Sequence, residues 1–401
     1  MKRKFLLIAV IGTLLLGSVT VMYSATGDSC SDAANLQAER KEARRVGLPT
    51  TMDEVVVGSI DDSRNAAPLI VEAASLLESE PAIALDKLTQ ASRMPSCDFD
   101  WKKAQKPDFW KHIRFQDCIH ALLASATKKF EGGDSGGGRR TLLVAHNLIN
   151  LVSTYPTQEA LKQSVLAERA LYGRMGGLMV ENPKDMLLLP AVQAETITPR
   201  STKVILNALR DFVAAGNESG RSKSAGPVQA FATMFNKRTY PLDPWGPASV
   251  EATHLAGARD LMQALDEDSD WIRVRSTIDK FADKWMADKR QSAYTLRQAA
   301  PSLQVLARLL AENEAARRVL FVAAAAFRYK ADNQQFPKES PVIGTTSSDP
   351  FTSEPLHYQQ VGLGFEVHSV GADGLDSGGS VREGMTIDRD VSFYFKGDAK
   401  T

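Results

Sequence analysis

The sequence predicts a mainly α fold with an N-terminal transmembrane helix, a body of helical hairpins and a small C-terminal α+β unit with a short antiparallel sheet. Three features of the 401-residue chain predict this fold. An apolar run lies near the N-terminus, apolar residues recur at helical spacing through most of the chain, and strand-like alternation appears beyond residue 340. We expect four parts: a cytoplasmic tip with the anchor (1–30), a first helical lobe (31–215), a second helical lobe (216–314) and the α+β unit (315–401).

The anchor is predicted from the N-terminal charge and hydropathy pattern. Residues 2–4 are Lys-Arg-Lys, and the run from Phe5 to Tyr23 is uncharged and mostly apolar. A helix that spans a bilayer needs about 20 such residues. A cleaved signal peptide is the alternative, but Tyr23 and Ala25 would occupy the small-residue positions before the cleavage site. The cations favour a single-pass membrane protein with a cytoplasmic N-terminus and a periplasmic or otherwise extracytoplasmic body, in contact with the membrane through residues 5–23.

The charge balance bears on the partners of the chain. The 48 Lys and Arg residues equal the 48 Asp and Glu residues in number, so the formal net charge is +0. A neutral chain has no global field to attract phosphate backbones. We therefore expect no nucleic-acid partner.

Helix pairs form the predicted body. Asn65 and Pro81 each precede a short apolar-periodic segment, as residues at helix starts do. Further helices are expected at 161–180, 202–214, 228–235, 249–265, 271–289 and 302–330. The polar link 216–227 separates the two predicted lobes.

The segment from Glu131 to Gly138 contains Gly-Asp-Ser-Gly-Gly, the run that surrounds the nucleophile of trypsin-like proteases. Helical periodicity lies on both sides of Ser135, whereas a protease site needs a β-barrel, a histidine and a buried aspartate within hydrogen-bond range. We therefore interpret this segment as the link of a helix hairpin.

An aromatic and histidine-rich stretch lies between residues 99 and 120. Trp101 and Trp110 could line a pocket with His112 and His120, or they could fill the helical core. An alternative function is that of an exported hydrolase, whose site we would expect near the aromatic segment 99–120.

Cys97 and Cys118 allow two interpretations, a disulfide in an oxidising compartment or two free thiols. A metal site of Cys118 with His112 and His120 lacks any established ligand spacing.

The C-terminal segment resembles the C-terminal half of the major pseudopilin of type II secretion systems. The matching residues are Tyr329, Lys330, Asp332, Asn333, Phe336 and Pro337 at a helix end, Asp349, Pro350 and Phe351 in a turn, Tyr358 in a strand, and Ser369, Gly371, Asp373 and Gly374 in a loop. The resemblance implies a helix that covers a small sheet. Alternating residues agree with it, since they predict a hairpin of Leu356–Val361 and Phe365–Val370 and a third strand at Val391–Phe395.

The N-terminal run lacks the Gly-Phe cleavage site and the glutamate of prepilins, and the helical body separates it from the C-terminal unit. The resemblance therefore implies a pseudopilin-like module in another protein. The whole layout also resembles a group of membrane-anchored bacterial helical proteins. The residues that carry this second likeness are Gly47, Pro49, Asn65, Ala66, Ala67, Cys97, Phe99 and Trp101.

Calcium is the one cofactor implied, because pseudopilins of this kind bind calcium at their C-terminal loop. Asp373 and Asp376, joined by Asp388 or Asp390, could supply the oxygen ligands that calcium prefers. The alternative is that these aspartates only make turns by bonding their own backbone.

No set of catalytic residues converges in the sequence, and helix pairs suit partner grooves. The sequence therefore favours a non-catalytic, envelope-anchored scaffold or protein-interaction protein, associated with a secretion or pilus-like assembly by the resemblance. Its expected partner is another protein.

Overall fold

The computed structural model describes residues 34–50, 54, 60–99, 107–155, 157–186, 247–265, 271–290, 293–342, 344, 347–379, 382–387 and 390–397. Contacts divide these residues into two compact units. The described parts of the first unit are 34–50, 54, 247–264, 281–290 and 293–301. The second unit holds the rest of the described residues, 60–186 with its gaps, 265, 271–280 and 302–397 with its gaps.

Helices dominate both units, and we number them in chain order. They are α1 (34–45), α2 (Ala67–Leu76), α3 (Pro81–Ala91), α4 (Pro107–Ile113), α5 (Phe115–Glu131), α6 (Ser135–Ser153), α7 (Gln158–Glu181), α8 (Pro183–Met186), α9 (Pro247–Ala264), α10 (Trp271–Ala287) and α11 (Tyr294–Asn333). The expected helices at 202–214 and 228–235 and the link 216–227 lie outside the described residues. The expected boundary at residue 315 falls within α11, which continues through it.

The structure corrects the expectation of a transmembrane helix, and with it the single-pass membrane topology. Within the ranges given above, no helix is both long enough and apolar enough to cross a bilayer. The longest helix, α11, has charged residues along much of its length, among them Arg308, Glu314 and Arg328, and such residues are costly in lipid. The run from Phe5 to Tyr23, on which the expectation rested, lies outside the described residues.

Ion pairs connect distant segments of the first unit. Arg40 of α1 pairs with Glu251 of α9 at 2.6 Å, and Arg259 of α9 pairs with Glu39 of α1 at 2.5 Å. Each helix supplies one arginine and one glutamate to these two pairs. The pairs therefore fix the register of α1 relative to α9.

The second unit contains the helical hairpins. Residues 132–134 link α5 to α6, so the link is shorter than the sequence suggested and Ser135 is the first residue of α6. The Asp134 carboxylate caps α6 by accepting the N–H of Gly137 at 2.8 Å, which satisfies an otherwise free helix-terminal donor. The Gly-Asp-Ser-Gly-Gly run is therefore a helix start within a hairpin.

The C-terminal unit is a four-stranded antiparallel sheet that packs on α11. Its strands are β1 (His357–Val361), β2 (Gly364–Ser369), β3 (Gly384–Ile387) and β4 (Val391–Phe395), in the order β1-β2-β4-β3. The mainly helical fold and the small antiparallel sheet are thus confirmed, and β3 is a strand that sequence patterns did not reveal.

Alternation along the strands gives the sheet one apolar and one polar face. On the apolar face, Phe327 of α11 contacts Phe365 and Phe395 with ring centroids 5.5 and 5.0 Å apart. On the polar face, His357 of β1 lies opposite His368 of β2, and His368 lies opposite Ser392 of β4. The apolar face builds the core of this unit and leaves the polar face for other roles.

Helix α7 covers β3 and joins the sheet to the helical hairpins of the second unit. An ideal Cβ on Gly176 would lie 2.2 Å from Cβ of Met385 in β3, so only glycine permits this approach. Arg169 of α7 donates a hydrogen bond to the carbonyl oxygen of Ile387 and forms an ion pair with Glu312 of α11 at 2.9 Å. The β3 edge of the sheet is therefore occupied.

Candidate functional site

Phe99 and Trp110 of the aromatic stretch fill a core rather than line a pocket. Trp110 is buried, and its ring meets that of Phe99 edge to face at 5.2 Å. Phe99 also packs against Tyr155, whose hydroxyl donates to the Phe99 carbonyl. Trp101 lies outside the described residues.

His112 and His120 are both exposed and do not point into this aromatic cluster of buried rings. His120 lies instead at the rim of a depression of about 390 Å³ between α5 and α7. Arg174 in the same depression donates to the hydroxyl of Thr127 at 2.5 Å. The hydroxyl of Thr127 also donates to the Leu123 carbonyl at 2.9 Å, so its hydrogen bonds go to an arginine and a main-chain carbonyl and not to the adjacent base that a nucleophile in acyl transfer would require.

Cys97 and Cys118 are buried free thiols in the structure and do not form the disulfide that the sequence also allowed. Burial raises the pKa of both, that of Cys118 to about 12, and the neighbouring Asp98 and Asp117 add to the effect. A thiol held in its neutral form is a poor nucleophile and metal ligand. These cysteines therefore act as small core residues.

The aspartates expected to bind calcium hold the backbone of their own loop. Asp373 accepts the N–H of Leu375 at 3.0 Å, and Asp390 accepts the N–H groups of Ser377 and Gly379 at 3.0 and 3.1 Å. Asp388 lies outside the described residues. These contacts are those of turn-forming aspartates, and calcium binding stays a prediction.

The described residues contain one group of three side chains whose metal-ligating atoms converge, namely His357, His368 and Asp376. Their ligand atoms all lie within 4.8 Å of one another. Nε2 of His368 is 3.1 Å from Oδ1 of Asp376, and Nδ1 of His357 is 3.6 Å from Oδ2 of the same carboxylate. Asp376 thus lies between two imidazoles.

The positions of these three residues follow from the hairpin and its loop. Gly362 and Leu363 form a two-residue turn, and Gly362 has a φ of 59°, which glycine adopts without strain. The resulting register places His357 opposite His368, with ring planes 10° apart and centroids at 4.8 Å. The N–H of Gly378 donates to Oδ1 of Asp376 at 2.8 Å, which holds this carboxylate toward the histidines.

The pKa of Asp376 is lowered, first by the hydrogen bond from the N–H of Gly378; burial opposes this effect, and the two imidazoles add to the lowering. The carboxylate is therefore ionised at neutral pH and is available as a ligand.

A second carboxylate faces the other nitrogen of His368. Oε1 of Glu366 lies 3.7 Å from Nδ1 of His368, and both side chains are more than nine-tenths buried. The backbone of Gly379 covers this contact so closely that an ideal Cβ there would lie 1.7 Å from the Glu366 carboxylate. Nδ1 of His368 is buried and has no hydrogen-bond partner. Oδ1 of Asp390 and Oγ of Ser392 are also buried without a hydrogen-bond partner.

Neither histidine stood out in the sequence. Their spacing from the turn could have revealed them. His357 lies five residues before Gly362 and His368 lies five residues after Leu363. A two-residue turn makes positions at equal distances from it cross-strand partners.

Comparison with family models, with curated proteins and with solved structures gives no match for this chain. The resemblance to pseudopilins stays a prediction.

Proposed function

We propose that this chain is a non-catalytic protein-interaction protein whose C-terminal unit binds an extended segment of a partner protein by adding a strand to β1. The observation that carries the proposal is the asymmetry of the two sheet edges. An extended peptide that pairs with an open sheet edge gains main-chain hydrogen bonds, and pockets for alternate side chains supply specificity.

The β3 edge is occupied by α7, as Gly176 and Arg169 show. At the other edge, β1 pairs only with β2 among the described strands. Its residues are exposed or half-buried over the whole strand. Open edges favour pairing with another chain unless a protein blocks them with charge, proline or a covering segment. The sequence of β1, His-Tyr-Gln-Gln-Val, has neither a lysine nor a proline.

Non-catalytic binding agrees with the rest of the described residues. The side chains of Phe99 and Trp110 fill a core, and His112 and His120 are exposed. No observation specifically favours the hydrolase alternative. The resemblance of the C-terminal unit to pseudopilins would make the partner a component of a secretion or pilus-like assembly.

Selection from a displayed library of random peptides, with the full-length chain as bait, tests strand addition. Selected peptides should protect the amides of residues 357–361 from hydrogen exchange. Because the hairpin closes with a two-residue turn, we expect Gln360 to turn its N–H to the open edge and Gln359 to turn its N–H to β2. Gln360→Pro should lower peptide affinity about tenfold, since it removes an edge donor and leaves a peptide acceptor unpaired at a cost of about 1.4 kcal/mol.

The matched control is Gln360→Thr, which keeps the N–H and suits a strand, and it should bind as wild type does. Peptides that leave the β1 amides unprotected, or that bind Gln360→Pro and wild type equally, would refute strand addition. Failure to select any peptide would refute it as well.

A further inference from the structure

We propose that His357, His368 and Asp376 bind one divalent transition-metal ion of the zinc class. This site shares Asp376 with the expected calcium loop but differs in its other ligands, since it contains His357 and His368 and neither Asp373 nor Asp390. It also stands independently of strand addition at β1.

The ligand chemistry selects the metal. Two imidazole nitrogens and one carboxylate suit Zn²⁺, Co²⁺, Ni²⁺ and Cu²⁺, whereas Ca²⁺ takes six to eight oxygen ligands. Zinc sites with three protein ligands leave the fourth position of a tetrahedron to water or to another molecule. Asp376 is 43 % exposed and His357 is 48 % exposed, so the open position faces solvent.

The environment of His368 supports the assignment. This ring is about 6 % exposed and lies between two carboxylates, Asp376 on the Nε2 side and Glu366 on the Nδ1 side. When Nε2–H donates to Asp376, a neutral ring turns the lone pair of Nδ1 toward the Glu366 carboxylate. Nδ1 and the Glu366 carboxylate are then two acceptors that face each other in a buried place, which is unfavourable. In agreement with this, Nδ1 has no hydrogen-bond partner.

A metal ion on Nε2 resolves this conflict. The proton of the neutral ring then resides on Nδ1, where it faces Glu366 Oε1 at 3.7 Å and can close to a hydrogen bond. No proton is gained or lost by the ring in this change of tautomer. Metal-bound histidines in proteins regularly donate their second N–H to such a carboxylate, which raises the basicity of the ligand.

The present geometry requires one small adjustment. Ligands about 2.1 Å from a tetrahedral ion lie about 3.4 Å apart, and the three ligand atoms here lie within 4.8 Å of one another. His357 is stacked parallel to His368, so its ring must rotate to direct Nδ1 at the ion. As a half-exposed side chain on the edge strand, it has room to do so. His368 and Asp376 are held by the covering loop and supply a fixed pair of ligands.

The test uses the full-length chain, freed of metal by chelation and titrated with Co²⁺ and Zn²⁺. We expect one ion per chain, visible absorption bands of four-coordinate Co²⁺, and displacement of Co²⁺ by Zn²⁺ but not by a large excess of Ca²⁺. His357→Gln and Asp376→Asn remove ligands that are half exposed, so these variants should fold, and each should weaken binding by more than about 100-fold. Glu366→Gln should weaken it about 10- to 100-fold, as outer carboxylates do.

The matched controls are His112→Gln, an exposed histidine elsewhere, and Asp373→Asn in the same loop, and both should bind as wild type does. Absence of saturable binding would overturn the proposal. Equal binding by wild type and His357→Gln, or loss of binding in the two controls, would overturn it too.

Discussion

The buried ion pair of Glu314 with Arg317 offers a direct test of what stabilises the second unit. Both residues belong to α11, and their side chains are 5 % and 9 % exposed. Oε2 of Glu314 accepts Nε–H of Arg317 at 2.7 Å, and Oε1 accepts Nε–H of Arg318 at 2.7 Å. Burial alone would raise the pKa of Glu314, but the hydrogen bonds and charges of the two arginines outweigh it, and the pKa is lowered.

Glu314→Gln keeps the size of the side chain and removes its charge. The buried Arg317 guanidinium then loses its hydrogen-bonded counter-charge and keeps only the weaker charge interaction with Glu168, and removal of one partner of such a pair costs about 3–5 kcal/mol. Because the glutamine carbonyl still accepts one hydrogen bond, we expect the lower end, about 3 kcal/mol.

The buried thiols report the loss without a denaturant. Cys97 and Cys118 lie in the same unit and can react only when that unit opens. A loss of about 3 kcal/mol raises the population of the open form, and with it the labelling rate of both thiols, roughly 100-fold. Mass spectrometry of peptides assigns the label to each cysteine.

The matched control is Asp108→Asn, which breaks an exposed pair with Lys111 in the same unit and should change the labelling rates less than about fivefold. Equal rates in wild type and Glu314→Gln would refute the reasoning. The effect also depends on pH. A depressed native pKa contributes stability above the unfolded value, close to 4.5, and that contribution is lost as the pH falls through the native value. Hydrogen exchange of α11 should therefore show wild type and variant converging below pH 4.5.

Two further predictions concern glycines and a cap. Gly176→Ala should lower the melting temperature, because its Cβ would meet Met385 at 2.2 Å and overpacking costs about 1–3 kcal/mol; Gly173→Ala, in the same helix with open space around it, should raise stability by up to about 1 kcal/mol. Equal shifts in the two alanine variants would contradict the packing of α7 on β3. Asp134→Ala should cost about 1 kcal/mol in a urea titration by removing the cap on Gly137 of α6, and an unchanged midpoint would contradict the capping role.

Local periodicity explains what could be predicted. Helical spacing before and after Ser135 located the hairpin, and alternation located β1, β2 and β4, because one face of each element must be buried. Strand β3, Gly384–Ile387, was missed because it is four residues long and its middle residues are half-buried. A strand this short shows hardly any alternation.

The polar interior could not be predicted in the same way. Glu314 and Arg317 are three residues apart on a helix, a spacing that is equally common on solvated faces. Their burial follows from the helices and strands that pack around α11, which the sequence does not specify locally. His357 and His368 likewise become neighbours only through the register of β1 and β2.

The two faces of the C-terminal sheet connect fold with function. Phe365 and Phe393, on the apolar face, supply the core with α11, and a polar opposite face open to solvent would complete an ordinary small unit. Here the loop through Gly379 covers the polar face instead, and it buries Glu366 and His368 at a cost in desolvation. Glu366 accepts a hydrogen bond from the Gln359 amide at 2.9 Å, whereas Nδ1 of His368 has no hydrogen-bond partner. In the proposed site, a metal ion on Nε2 of His368 leaves the ring proton on Nδ1, where it faces the Glu366 carboxylate, and Asp376 already converges on both histidines there.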